Sequence, residues 1–167
     1  MKRKPARRGD EMKKLTILLA VLLVLGCLTY AQEGKQNKKE NPETVAIKKV
    51  IEDAYVKGIH INRDIEAVKK GFHPDFTMLM PKDDGIKKVS IQTWIGWIEE
   101  GIKKEPNRAK PNVTHKFQFV SATGNAGVAK ILIYKDGIHI YSDYMSLYKF
   151  SNGWKIVNKI YHTHKKK

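Results

Sequence analysis

The sequence predicts an α+β domain in which three N-terminal helices pack on a strongly curved antiparallel sheet. Three observations carry this expectation. Apolar residues recur at helical spacing in separate runs between positions 43 and 102. From Thr114 onward the pattern changes to β-branched and aromatic runs divided by turn dipeptides. The last two runs, IHIYSDYMSLYKF and WKIVNKIYH, flank Asn152-Gly153. That dipeptide is a strong hairpin signal, and each run exceeds the usual strand length.

The chain has 167 residues and a net charge of +15. Residues 1–31 hold seven basic and two acidic side chains, which leaves +10 for the remainder. That charge is spread along the chain, so it describes a lysine-rich surface and gives no block for nucleic acid. The single cysteine, Cys27, lies in the N-terminal apolar run, so the domain is expected to fold without disulfide or thiol chemistry.

Lys13-Lys14, the apolar run Leu15–Leu28 and the short residues Thr29-Tyr30-Ala31 follow the order of a secretory signal peptide. Residues 1–31 are read as that signal, with 1–11 as an upstream extension. The apolar run falls short of the ~20 residues of a membrane span. Cleavage after Ala31 would start the mature chain at Gln32. Val24-Leu25-Gly26-Cys27 resembles a bacterial lipobox, which would instead anchor the protein through a lipid on Cys27. Either route predicts export, to a bacterial periplasm or beyond, with membrane contact only if Cys27 is lipidated.

Residues 32–41 read as a flexible polar leader, and 42–164 as the domain. Asn41 can cap a helix, Pro42 suits its first position and Glu43 its positive end. Ile47, Val50, Ile51, Ala54 and Tyr55 then share a face, and Gly58 is expected to end the helix. A short helix starts at Asn62 or Asp64, points Ile65 and Val68 inward and stops at Gly71. Pro74 steers the chain into a short strand, Phe76–Met80, followed by a polar loop, Pro81–Gly85. Ser90 caps a third helix carrying Ile91, Trp94, Ile95, Ile98 and Ile102, and Glu105–Asn112 is a linker. Strands are predicted at Thr114–Ala122, Ala126–Tyr134, His139–Phe150 and Trp154–His162, with Lys165–Lys167 as a frayed tail.

This order, with Phe72-His73-Pro74-Asp75 after the second helix, resembles the nuclear transport factor 2-like superfamily. Tyr141–Leu147 (YSDYMSL) and Gly153–Lys159 (GWKIVNK) look like the C-terminal signature of its lumazine-binding, SnoaL-like branch. The resemblance covers about residues 43–163. It implies a cone-shaped domain whose bent sheet wraps the helices and leaves a pocket between them. The superfamily includes ketosteroid isomerases, dehydratases, polyketide cyclases and non-catalytic binders, so the fold leaves function to the site.

A two-residue loop at Asn152-Gly153 would set Asp143 opposite His162, Met145 opposite Ile160 and Leu147 opposite Asn158. The pocket wall would then hold Tyr141, Asp143, Met145, Asn158 and His162, with Tyr55 and Trp94 from the helices as further ligand contacts. The opposite face would carry Tyr144, Tyr148, Lys159 and Tyr161, suited to a homodimer contact. A bulged loop would reverse this parity and pair Asp143 with Tyr161. The same turn rule at Asp136-Gly137 sets Lys130 beside Asp143. An Asp143–His162 pair is the candidate for acid-base chemistry, against a purely structural ion pair. His73 and Asp75 read as turn residues, and Trp97 as a rim or surface residue. The histidines make no metal signature, and no cofactor is implied.

Three functions compete: an exported domain binding a small, partly apolar molecule; an isomerase, dehydratase or cyclase using Asp143 and His162; and an envelope-associated protein whose basic surface meets anionic material.

Overall fold

The computed structural model describes residues 40–164. The signal segment 1–31 with Cys27, the leader as far as Lys39 and the tail Lys165–Lys167 lie outside the described residues. Helix α1 (Pro42–Val50) begins as its residues require, with the Asn41 side chain accepting the Glu43 N–H at 2.9 Å.

The chain then continues without a break as a π-helical segment, Ile51–Asn62. Gly58, expected to end the helix, is buried within it instead. A Cβ at Gly58 would come within 3.2 Å of the Asp53 carbonyl oxygen and 3.3 Å of a Val68 methyl, so the glycine serves close packing. The helix stops at Arg63, which takes the left-handed conformation with φ 53°. Its guanidinium donates to the carbonyls of Gly101 and Glu105 at 2.8 and 2.7 Å, tying this strained corner to the end of another helix.

That other helix is α3. Before it come α2 (Ile65–Gly71), capped by Asp64, and a hairpin of β1 (Phe72–Lys82) and β2 (Gly85–Ser90). The hairpin replaces the expected short strand and loop. Most of β2 is exposed and only Val89 is buried, so its sequence shows no alternation from which a strand could be read. Ser90 caps α3 (Ile91–Lys104) as predicted, accepting the Thr93 N–H at 3.1 Å.

The strands β3 (Val113–Thr123), β4 (Ala126–Lys135), β5 (Ile138–Phe150) and β6 (Gly153–Thr163) complete a six-stranded sheet in the order β2-β1-β6-β5-β4-β3. The sheet is mixed rather than wholly antiparallel, because β1 runs parallel to β6. A parallel pair needs a long crossover, and here α3 and four strands provide it. Each of the ladders β3–β4, β4–β5 and β5–β6 contains a one-residue register shift. Such bulges bend and twist a sheet, which suits one that must curve around helices.

Ile47, Ile51, Tyr55 and Val68 from the helices meet Ile131, Ile133, Met145, Leu147 and Ile156 from the sheet in one buried core. The α2 end packs tightly: a Cβ on Gly71 would lie 2.2 Å from the Ala54 Cβ, a spacing only glycine permits.

Candidate functional site

The β5–β6 register decides which side chains face the helices. The loop is Ser151-Asn152, since Phe150 pairs with Gly153, and Gly153 takes a φ of 103° that favours glycine. Near the loop, Leu147 pairs with Ile156. Beyond it, Ser146 pairs with Asn158, so Val157 is an extra residue on β6. Parity reverses there. Buried positions on β6 run Trp154, Ile156, then Lys159, a step of two followed by a step of three.

The predicted Asp143–His162 pair is therefore wrong: Asp143 lies opposite Tyr161, and His162 lies opposite Ser142, exposed on the other face. Lys130 also misses Asp143. An extra residue at Ile140 sets Lys130 against Tyr144, with its ammonium 5.1 Å from that ring. The same reversal moves Tyr161 and Lys159 off the outer face and onto the helix side.

What gathers on that side is a cavity of about 300 Å³. The π-helical segment contributes Tyr55, Ile59 and His60. Strand β1 adds Met78 and Met80, α3 adds Trp94 and Trp97, and the sheet supplies Tyr141, Lys159 and Tyr161. The unusual helix accounts for part of this set. Residues five apart point about 140° from one another on an α-helix. The i→i+5 bonding of a π-helix brings them onto one side, and the Tyr55 and His60 rings meet edge to face at 4.7 Å.

Among the described residues two charged side chains are buried, Asp143 at 0% and Lys159 at 3% exposure. The Lys159 Nζ sits 2.7 Å from Asp143 Oδ1, as an ion pair off the angle of a directed hydrogen bond. The Tyr55 hydroxyl donates to the other carboxylate oxygen at 2.7 Å. Aromatic faces surround the ammonium, with ring centroids at 3.9 Å for Tyr161, 5.4 Å for Tyr55, 5.6 Å for Trp94 and 5.9 Å for Tyr141. Burial pushes the Asp143 carboxyl up and the Lys159 ammonium down, each opposed by the other's charge. Burial, and then the Asp143 carboxylate, hold the Tyr55 phenol well above its ordinary value.

His60 is held low, at about 4, by burial and then by the Lys159 charge. Its ring is therefore neutral at pH 7. Its Nε2 is buried without a partner in the protein. A buried polar atom left unpaired is costly, and in a cavity wall it points to a group that the cavity receives.

Of the residues expected to bind a ligand, Tyr55, Trp94 and Tyr141 line the cavity. Asp143 stands one contact back, behind Lys159 and Tyr55, and Met145 belongs to the core. The Asn158 amide instead donates to the Thr77 carbonyl at 2.8 Å and joins β6 to β1. Trp97 is an exposed rim residue, while His73 accepts the Asp75 N–H at 3.1 Å within its turn. Sequence reasoning missed Lys159 and Tyr161 through the bulge, and His60 through the helix type. A larger groove of about 630 Å³ lies outside, between α1, α2 and the β5–β6 turn. Its carboxylates, Glu43 and Asp53, are already engaged by lysines, so the smaller cavity is the candidate.

A bent sheet closed over helices around such a cavity defines the nuclear transport factor 2-like class. The chain belongs to the family described as "Putative lumazine-binding", which matches residues 42–162. Solved structures agree on the fold. An NTF2-like protein of unknown function from Shewanella baltica OS155 is 21% identical, with 78% of this chain and 100% of that chain covered and a TM-score of 0.60. One from Silicibacter pomeroyi DSS-3 is 18% identical, covering 72% and 94%, with a TM-score of 0.59. The S. rosetta CaMKII hub is 17% identical, covering 74% and 98%, with a TM-score of 0.53. No curated protein matches.

Proposed function

We propose that this is an exported domain that binds a small, partly apolar molecule in the cavity between the helices and the sheet. The observation that carries this reading is the unpartnered His60 Nε2 in a cavity walled by aromatic and methionine side chains. Ligand sites combine an apolar wall with a few polar groups of this kind, and about 300 Å³ is at the small end of their range. Export rests on the signal-like N-terminus alone.

Native mass spectrometry of the protein recovered from the exported fraction of its source tests both parts. The expected result is a chain starting at Gln32, or lipidated on Cys27, with a small molecule that survives gentle desolvation. A chain starting at Met1 or Met12 removes the export reading. A mass equal to the bare chain in every preparation, with no shift on screening small apolar compounds, removes the binding reading.

The outer face of the sheet supports self-association. Phe119, Lys130, Tyr144 and Ile160 stand in one row across four strands, and Phe119, Tyr144, Ile160 and nearby Tyr148 are exposed. Apolar side chains grouped in this way favour a covered surface. Homodimer formation through this face, without Tyr161, predicts a dimer in sedimentation that Tyr144→Asp shifts to monomer. A monomer at high micromolar concentration removes the idea.

A further inference from the structure

Lys159 has no surface role. Its side chain is 4% exposed, and the four rings around its ammonium all line the cavity, so Nζ forms the polar floor of that space. A lysine serving only as a counter-ion needs no opening beside it, and this one has an opening sized for a small molecule. A primary amine in an apolar pocket, beside a carboxylate that can take its proton, is the arrangement that makes lysine a nucleophile toward carbonyl carbon. Asp143 is such a carboxylate, at 2.7 Å, and Tyr55 holds its other oxygen. His60 offers a second polar contact in the same cavity.

We propose that Lys159 captures a small aldehyde, ketone or 1,3-diketone with an apolar body as an iminium in this cavity. The inference rests on the reading of the cavity as the ligand site.

The step balances without an oxidant or reductant. The ammonium passes one proton to Asp143, and the freed lone pair attacks the carbonyl carbon. A C–N bond forms while the carbonyl π pair moves to oxygen, and transfer of a proton from nitrogen to that oxygen gives the neutral carbinolamine. Asp143 then returns its proton to the hydroxyl, the C–O bond breaks and water leaves. The products are the iminium and one water, with Asp143 ionised again. Burial pushes the two groups toward each other's protonation state, which favours the first transfer. The aromatic faces that steady the ammonium also steady the iminium, since both carry one positive charge.

The probe is acetylacetone, whose imine with a primary amine rearranges to a vinylogous amide that absorbs in the near ultraviolet. The native protein is treated near neutral pH, digested and mapped. The expected adduct is on Lys159, formed roughly tenfold or more faster than on the surface lysines. Adducts confined to surface lysines overturn the proposal. Lys159→Arg keeps the cation and the partner of Asp143 but cannot form an imine, so it should fold and lose the fast phase of the band's growth. A fast phase unchanged in that variant also overturns the proposal. If Lys159→Arg does not fold, the map of the native protein decides alone. NMR signals of His60 and Trp94, followed in the same titration, separate this idea from the one beneath it. Shifts without a Lys159 adduct retain the ligand site and remove the iminium, while the absence of both shifts and adduct removes the iminium and leaves the ligand site to the mass-spectrometric test.

Discussion

Replacing Lys159 with methionine is expected to destabilise the domain by about 3–5 kcal/mol at neutral pH, the cost of leaving one member of a buried ion pair alone. Asp143 is fully buried and would keep only the Tyr55 hydroxyl as a partner. With the ammonium gone, desolvation of the carboxylate is opposed only by the Tyr55 hydroxyl and, more weakly, by His139, and the folded protein holds a proton on Asp143 to higher pH than the unfolded chain does. Stability from such a group is present at low pH and is lost as pH rises through and above the ordinary carboxylate range. The deficit relative to the native protein should therefore shrink on acidification. Urea unfolding followed by circular dichroism measures it. Adding Asp143→Asn to Lys159→Met removes the orphaned charge but keeps an acceptor for Tyr55, and the double variant should recover roughly half or more of the loss. A single-variant loss below about 1 kcal/mol would mean that water reaches the pair and screens it.

The double-variant result also bears on why the pair exists. A buried ion pair is weak evidence for stability, because well-packed apolar residues often do as well. If Asn and Met are tolerated together, packing alone does not account for the charges. The cavity beside Lys159 then supplies the reason.

Much of the fold was legible in the sequence because local chemistry specifies it. Asn41, Asp64 and Ser90 are caps by residue type, and each accepts the hydrogen bond its type predicts. The four C-terminal strands are bounded by dipeptides whose turn preferences are strong, so their limits held to within one or two residues. The site was less legible, and for one recurrent reason. Its members are set by places where the period changes. Val157 adds a residue inside a run of β-formers with no glycine or proline to mark it, and one added residue turns Lys159 and Tyr161 inward and His162 outward. Ile140 does the same for Lys130. The widened helix turns His60 toward Tyr55 although α-helical spacing separates them. Gly58 read as a stop because glycine ends helices, while here it relieves a contact with Val68. Burial decided each case, and burial of a lysine or a histidine is what a hydrophobic pattern does not encode.

His60 gives the domain an expected loss of stability in acid. In the folded protein its pKa falls from the ordinary 6.5 to about 4, first through burial and then through the Lys159 charge. Between those values the unfolded chain binds a proton that the folded one refuses. Unfolding therefore takes up protons, and stability rises with pH across the window from about 4 to 6.5. At about 1.4 kcal/mol per pH unit, the whole window is worth on the order of 3 kcal/mol. Carboxylates titrate in the same range, so the native protein's own curve does not isolate the imidazole. The difference between native protein and His60→Gln does, because glutamine keeps a polar side chain of similar reach and does not titrate. Urea unfolding free energies at a series of pH values should converge on acidification, with the native protein losing up to about 3 kcal/mol more than the variant between pH 6.5 and 4. Parallel curves would place His60 in water and leave its Nε2 without the burial that points to a ligand. A bound molecule that donates a hydrogen bond to the His60 Nε2 lone pair should steepen the effect, since protonation of that nitrogen then also breaks the bond to the ligand. The native curve measured with and without such a molecule thus reads binding and burial from the same side chain.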